Sequence, residues 1–414
     1  MLNKESVYSI LSVSFKILSG PIAIILITTK LSLEEQGVYY MFLSLSAIQW
    51  VFELGISTCM VQYISAARSK NEKERYFSFL TLFLFLAAVV LIISLSISGE
   101  WFFNSIPKDI WVYPWFIYLL FVSLNLFFNI LVLFQESSGS IASAYLTKMF
   151  SGIGYSAALI LTLFFGAGLY SLAIAQFFML LIVVYRERKQ LIVFKYVYFN
   201  KSLIILTAKE IFGFQYKLSI IWIVGYFYWN SFQVLFFKFV SPEWAGLFGA
   251  TNGIFGAFTL MSTSLVSTQR SRWGRLNEDG RIEETYYIFK RETIKGILLY
   301  LILSLFVITF IMLFPTLPFV NRFLPIGFLA LFAGFRLFVT YQEIILNYLR
   351  TFKDEPLYKI TLVNYLSLPI AVFLGVYMNN LYMIFVLSII LQLIFSLIYT
   401  LKMNEYIKNK VLSL

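Results

Sequence analysis

Residues 68–98 read RSKNEKERYFSFLTLFLFLAAVVLIISLSIS, and this stretch decides the class of fold. Four Lys/Arg residues in its first eight positions give way at Tyr76 to a run, 76–98, without a single charge. Twenty or so apolar residues in a helix cross a hydrocarbon core of ~30 Å. Reading outward, the same alternation recurs along the chain. Apolar runs fall near 7–29, 37–59, 76–98, 113–134, 147–165, 169–185, 218–238, 246–268, 294–314, 323–346, 360–378 and 381–401. The expectation is an all-α polytopic membrane protein with twelve transmembrane helices.

The connections between these runs are not equally charged. Of the 32 Lys and Arg residues, 26 fall on one alternate set of connections and termini. Only Lys30, Lys108, Lys238 and Arg322 fall on the other set, and Lys16 and Arg336 lie inside spans. Basic residues mark cytoplasmic loops, so both termini are expected in the cytoplasm, and the net charge of +11 records topology and an attraction to anionic membrane lipid. Nucleic acid is not an expected partner. Lys4 precedes a 23-residue apolar run that lacks a small-residue cleavage site and contains a lysine, which reads as an uncleaved first helix.

Cys59 is the only cysteine and there is no histidine, which argues against an intramolecular disulfide and against zinc, haem or iron–sulfur cofactors. Nucleophile–base pairs and a phosphate-cradling Gly-rich loop are missing as well. The chain is not expected to be an enzyme, to hold a cofactor or metal, or to hydrolyse nucleotide. Trp101, Trp111 and Trp115 flank the second outside loop, where interfacial rings are expected, and the 19 % aromatic content reads as lipid-facing bulk.

An internal repeat divides the chain. Residues 31–40, LSLEEQGVYY, align with 240–249, VSPEWAGLFG, so that Ser32 matches Ser241, Glu34 matches Glu243 and Gly37 matches Gly246. Both segments join an odd span to the next on the outside, and each is followed by a span and a basic inside loop. Six spans per copy is even, so the copies share one orientation, which implies two pseudo-symmetric six-helix bundles around a central cavity. The expected division is 1–200 for the N-terminal bundle, 201–217 for a cytoplasmic linker or interfacial helix, and 218–414 for the C-terminal bundle. The outside links Gly166–Gly168 and Asn379–Asn380 are minimal.

A charge at the bilayer centre costs roughly 2.5–3.5 kcal/mol on insertion scales, so each one points to a function or a partner. Lys16 lies at mid-depth in span one with Ser9, Ser12 and Ser19 on its face, ahead of Pro21. It reads as a cavity-lining cation, the other reading being a lysine snorkelling to the interface. Arg336, at mid-depth in span ten, shares a face with Thr340, Glu343 and Asn347. It is either a cavity charge or half of a structural Arg–Glu pair, and Glu343 is also near enough to the inner end to be simply hydrated. Span two carries Ser46, Gln49, Glu53 and Ser57 on one face. Glu53 is a candidate for titration or for a pair with Lys16. Asn125, Asn129, Asn230, Gln233, Asn252, Thr259 and Asn364 are softer polar positions. Half or more of them suit interhelical hydrogen bonds, and the rest suit a hydroxyl-rich ligand.

In this order of features the chain resembles the O-antigen (polysaccharide repeat-unit) flippases of the multidrug/oligosaccharidyl-lipid/polysaccharide exporter superfamily. The likeness rests on a cationic first span, the loop LSLEEQG, a second span ending ELGIST, and a basic inside loop. Where that family prefers an acidic–aromatic–Gly ending to span two, this chain has Glu53-Leu54-Gly55. The resemblance implies a flippase that moves a polyprenyl-diphosphate-linked oligosaccharide from the cytoplasmic to the outer leaflet of a bacterial inner membrane. It would do so by alternating access through a cationic cavity lined by spans one, two, seven and eight. Lys16 falls where the family has its first-span cation, while Arg336 is assigned from depth alone, with Gln49, Asn230 and Asn252 as further substrate contacts and Glu53 and Glu343 as ion-coupling or charge-pair candidates. Expected partners are the lipid-linked glycan, membrane lipid and polysaccharide-assembly proteins. The rival readings are a multidrug exporter of the same superfamily, a polysaccharide polymerase, and a passive scramblase or scaffold.

Overall fold

The protein is described here by a computed structural model covering residues 19–352 and 354–412, in which every regular element is helical. Lys16 and the serines before it therefore lie outside the described residues. Nine described helical stretches are long and apolar enough to cross a bilayer, counting Leu33–Ala66 as one despite its interruptions. Tyr170–Arg186 makes a tenth together with Arg188–Lys195, from which it is bent by 79°. Ser19–Lys30 carries the described end of span one, and Pro242–Ser267 stands at the eighth position, so helices occupy all twelve expected places.

The chain divides into two compact units, Met1–Tyr226 and Phe227–Leu414. The first contains α1 (Ser19–Lys30), α2 (Leu33–Ser46), α3 (Gln49–Glu53), α4 (Ile56–Ala66), α5 (Lys70–Phe102), α6 (Lys108–Ser137), α7 (Ile141–Phe164), α8 (Tyr170–Arg186) and most of α9 (Lys201–Phe239). The second holds the end of α9, then α10 (Pro242–Ser267), α11 (Arg270–Glu278), α12 (Ile282–Leu313), α13 (Ile326–Leu349), α14 (Tyr358–Tyr377) and α15 (Leu381–Leu412).

Within the first unit α4 packs on α5 and α6, α5 on α6, and α8 on both α6 and α7. Within the second, α10 packs on α12 and α13, α12 on α13, and α15 on both α13 and α14. These principal pairings correspond helix for helix, although α6 also packs on α7 in the first unit whereas the corresponding α13 and α14 backbones do not pack closely in the second. The repeat also extends to the ends of elements. Ser32 caps α2 by accepting from the backbone N–H of Glu35 at 3.1 Å, and Ser241 caps α10 by accepting from that of Trp244 at 3.2 Å. Both bonds reach the third helical residue, where a first-turn donor otherwise has no partner. At the other end, α7 and α14 stop in the same way, with Gly166 (φ 79°) and Asn379 (φ 51°) in the left-handed region. In each case the next two amides return to the last-turn carbonyls, Gly166 to Leu163 and Ala167 to Thr162, Asn379 to Val376 and Asn380 to Gly375.

Residues 201–217 are not a separate segment. They form the first part of α9, which runs unbroken for 39 residues and is about 58 Å long. Asn200 starts it by accepting from the N–H groups of Ser202 and Leu203. Its early turns are tied to α5 through Glu210, whose carboxylate accepts from Arg75 at 2.7 Å and from the Tyr76 hydroxyl at 2.5 Å. The boundary between units accordingly falls inside a helix. The basic stretch 269–293 is ordered too: α11 buries Trp273 completely against Phe289 and Tyr348.

Two expectations for the aromatic residues are corrected. Trp101 is 54 % exposed as an interfacial ring should be, but Trp111 and Trp115 are buried. They pack with Phe42 and Phe103, and the Trp115 indole donates to the Leu95 carbonyl at 3.4 Å. Many phenylalanines are likewise internal, with Phe232, Phe248, Phe332 and Phe385 in mutual contact. Lipid is as apolar as a side chain, so helices associate in it through packing itself, and large rings supply that contact area. The rings are thus divided between interior and surface, since Phe85 of α5 and Phe306 of α12 are exposed beside Ile93, Ile97, Ile302 and Leu305 as lipid-facing bulk should be.

Candidate functional site

In the second unit α13 carries Arg336 in its middle, with α9 and α10 on either side of the guanidinium. Arg336 is 8 % exposed. Its guanidinium carbon lies 5.8 Å from the centroid of the Trp229 ring, a distance at which a cation is attracted by the ring face. On α10, Gly256 leaves the room the group occupies, since a Cβ there would stand 3.0 Å from Nη2. Thr340 fixes the helix turn that carries it by donating to the Arg336 carbonyl at 2.8 Å, and its hydroxyl meets that of Thr259 at 2.8 Å.

Among the described residues the guanidinium forms no ion pair, and its buried Nε has no hydrogen-bond acceptor. The structural Arg336–Glu343 pair considered from the sequence is not made. Seven residues of α-helix separate the two α-carbons by about 10.5 Å along the axis, so half-buried Glu343 feels Arg336 through space and forms no ion pair with a described residue. A buried cation with unused donors is costly unless an anion arrives to take them.

A second polar cluster in this unit is complete in itself. Gln342 of α13 donates to the Gln392 carbonyl, to the Gln392 side chain and to Ser396, each at 3.0 Å. Asn364 of α14 donates to Gln342 at 2.8 Å and accepts from Gln392 at 3.0 Å. The Tyr228 hydroxyl adds a donor to Gln392 at 3.3 Å, and its ring stacks on Tyr365. These groups are saturated by one another and hold α13, α14 and α15 together. Asn364 thus belongs to interhelical bonding, as do Asn125, which donates to Gln176 at 2.9 Å, and Gln233, which donates to the Ala245 carbonyl at 3.1 Å. Asn252 and Gln49, by contrast, are half-buried and form no hydrogen bond with a described residue. Asn230 is half-buried on α9, next to Trp229.

In the first unit the helix that carries the polar face of span two is interrupted. Leu54 (φ 56°) and Gly55 (φ 70°) are both left-handed and separate α3 from α4. Only glycine fits at 55, because a Cβ would sit 2.3 Å from Trp222 Nε1. The break frees the Leu54 carbonyl, which accepts from Gln215 of α9 at 2.6 Å. Ser46 is engaged with the Tyr118 hydroxyl at 2.7 Å. Glu53 is half-buried, lies against Ser57 and forms no ion pair with a described residue. Its proposed partner Lys16 lies outside the described residues.

Arg336, Glu53 and Gln49 stand out in the sequence because each is polar within an apolar run. Trp229, Gly256 and the Gln342–Gln392 pair were not singled out. Two mid-span amides were a usable signal for that pair, whereas Trp229 and Gly256 matter only through what another helix brings beside them.

No family model matches the chain, and no curated protein matches it in sequence. Solved structures do. The chain is similar to the inward-facing conformation of a multidrug resistance MATE family transporter of the MOP superfamily, with a TM-score of 0.70 and 14 % identity over 97 % of this chain and 98 % of that one. It is also similar to an outward-facing conformation of a MATE family transporter of the MOP superfamily, with a TM-score of 0.58, 14 % identity, and 99 % and 97 % covered. A mutant MATE transporter from Vibrio cholerae gives a TM-score of 0.58 at 13 % identity, with 98 % and 96 % covered. The chain has the fold of MATE transporters, the all-helical polytopic architecture expected from its sequence.

Proposed function

We propose that the chain is an alternating-access transporter whose cargo presents an anionic group to Arg336. The cargo that fits best is a polyprenyl-diphosphate-linked oligosaccharide, moved from the cytoplasmic to the outer leaflet of a bacterial inner membrane. One observation carries the reading: a buried arginine in the middle of a membrane helix, with no ion pair to a described residue and its Nε donor unused. A diphosphate supplies the missing acceptors. Lys16 on span one would add a second cation, and Gln49, Asn230 and Asn252 would offer hydrogen bonds to sugar hydroxyls. With the cytoplasm negative, outward movement of an anion runs downhill by about 2.3 kcal/mol per charge per 100 mV.

The test is flipping of labelled lipid-linked glycan by the purified protein in vesicles. Arg336→Ala should lower the rate at least about tenfold with normal membrane insertion, and Arg336→Lys should lose less, since it keeps the charge but not the fork of donors. An unchanged rate in Arg336→Ala overturns the assignment. The second reading is a multidrug exporter, favoured by the multidrug transporters among the structural neighbours. It predicts efflux of cationic dyes by cells expressing the chain and no flipping of glycan lipid. A cationic cargo is electrostatically ill-matched to Arg336, which is why the anionic reading is preferred.

A further inference from the structure

The stretch from Arg186 to Lys217 leaves the line of α8 at the 79° bend and returns as the first half of α9. It is held in place by specific contacts. The Ser78 hydroxyl donates to the Tyr198 carbonyl at 2.8 Å and accepts from the Tyr198 N–H at 3.0 Å. Phe194 stacks on Phe127, and Val193 is fully buried. What this ordered stretch turns outward is of two kinds. Arg188, Lys189, Lys195, Lys201, Lys209 and Lys217 are all exposed, and none forms an ion pair with a described residue. Between them stand large apolar side chains that nothing covers: Phe199 is 81 % exposed, Phe212 66 % and Ile205 44 %.

The acidic residues of the stretch do not offset these cations. It contains only Glu187 and Glu210. Glu187 is 2 % exposed and accepts from the Thr147 hydroxyl, while Glu210 is spent on Arg75 and Tyr76. On α9 the outward positions Lys201, Ile205, Lys209, Phe212 and Tyr216 share one face, and Thr207 and Ile211 lie buried on the opposite one. A face that interleaves cations with bulky apolar groups, and whose own carboxylates are buried or already engaged, matches a layer of phosphates backed by hydrocarbon. A soluble acidic partner would satisfy the lysines but not Phe199 and Phe212.

We infer that residues 186–217 form a preordered docking surface for the phosphate headgroups of anionic membrane lipids, with the apolar side chains seated among the acyl chains just beneath. This surface is separate from the Arg336 site and does not depend on what the protein transports.

The test uses the purified full-length chain in detergent, titrated with phosphatidylglycerol or phosphatidylcholine, with retained lipid counted by native mass spectrometry. Phosphatidylglycerol should be retained preferentially, and less so as salt is raised. Combined Arg188→Gln, Lys189→Gln, Lys195→Gln and Lys201→Gln substitution should weaken its retention at least about tenfold, given the contribution of each basic residue near an anionic surface. Exchanging the same four positions between Arg and Lys should preserve it, as should Lys108→Gln elsewhere. Equal retention of the two lipids, wild-type retention by the neutralised variant, or displacement by inorganic phosphate at the same concentration overturns the inference. So does capture of an acidic protein without lipid preference. Should the neutralised chain fail to fold, the lipid preference of the wild type and its salt dependence decide the matter.

Discussion

Gly55 shows how much one position can fix. Alanine there meets two penalties, the left-handed backbone, about 1–2 kcal/mol, and the collision with the Trp222 indole, about 1–3 kcal/mol of overpacking. Gly55→Ala should therefore lower the thermal unfolding midpoint, and adding Trp222→Ala should restore only part of it, because the backbone term remains. Gly256 is a contrasting case. Its substitution by Ala pushes on the movable end of Arg336, so transport should fall severalfold while stability changes by less than about 1 kcal/mol. For the half-buried carboxylates, Glu53→Gln and Glu343→Gln test proton coupling: flipping that still responds to a pH gradient in both variants removes that mechanism. Glu187, beyond the end of α8, titrates in a predictable sense. Burial pushes its carboxyl above the ordinary range, against the opposing pull of the Thr147 hydroxyl and Arg186. The folded state then holds that proton more tightly than the unfolded chain, so this contribution to stability is present at low pH and is lost as pH rises through the folded value. Unfolding midpoints of wild type and Glu187→Gln measured across pH should show the slope reduced in the variant. Arg336 and Glu53 were legible as residues because charge inside an apolar run is conspicuous. The use made of Gly256 was not, since it depends on a side chain eighty positions away.

At the scale of elements, the spans were legible because membrane helices must satisfy their backbone internally, which leaves a long apolar run as their signature. Interruptions and continuations were not. Leu54–Gly55 breaks a helix inside a run that reads as one span, and α9 continues through a stretch that reads as a linker or a short interfacial helix. The break is stabilised by Gln215, more than 150 residues away, and the continuation by the Asn200 cap and the Glu210–Arg75 pair. The amide cluster of Gln342, Asn364 and Gln392 is another tertiary product. Gln392→Leu strands the partners it leaves behind and should cost about 1–2 kcal/mol, measured as a drop in unfolding midpoint. A double-mutant cycle with Gln342→Leu should show strong coupling, because the two single losses share the same bonds.

For the whole molecule, three identities between 31–40 and 240–249 pointed to a repeat whose extent only the packing reveals. The two units share most of their helix pairings, their serine caps and the left-handed stops after α7 and α14, although little of the surrounding sequence agrees. A cap or a tight stop needs one particular residue, whereas packing in lipid tolerates many apolar exchanges, so the ends of elements keep the likeness that their middles lose. The orientation drawn from the basic residues can be tested directly. In a Cys59→Ala background, a single cysteine placed at Lys189 should react with an impermeant maleimide only from the cytoplasmic side, and one placed at Asn379 only from the opposite side. Reversed labelling would overturn the assignment of sides.

The interruption at Leu54–Gly55 also bears on isotope exchange. The first intrahelical bond of α4 runs from the Cys59 N–H to the Gly55 carbonyl at 3.3 Å, so the amides of residues 55–58 precede the regular ladder. In deuterated solvent these amides should take up label well ahead of α2 and α5 on either side, a fast spot within an otherwise slow span. Gln215→Ala, by releasing the Leu54 carbonyl, should widen that spot toward α3. That result would make the break a pivot within the span that carries Glu53.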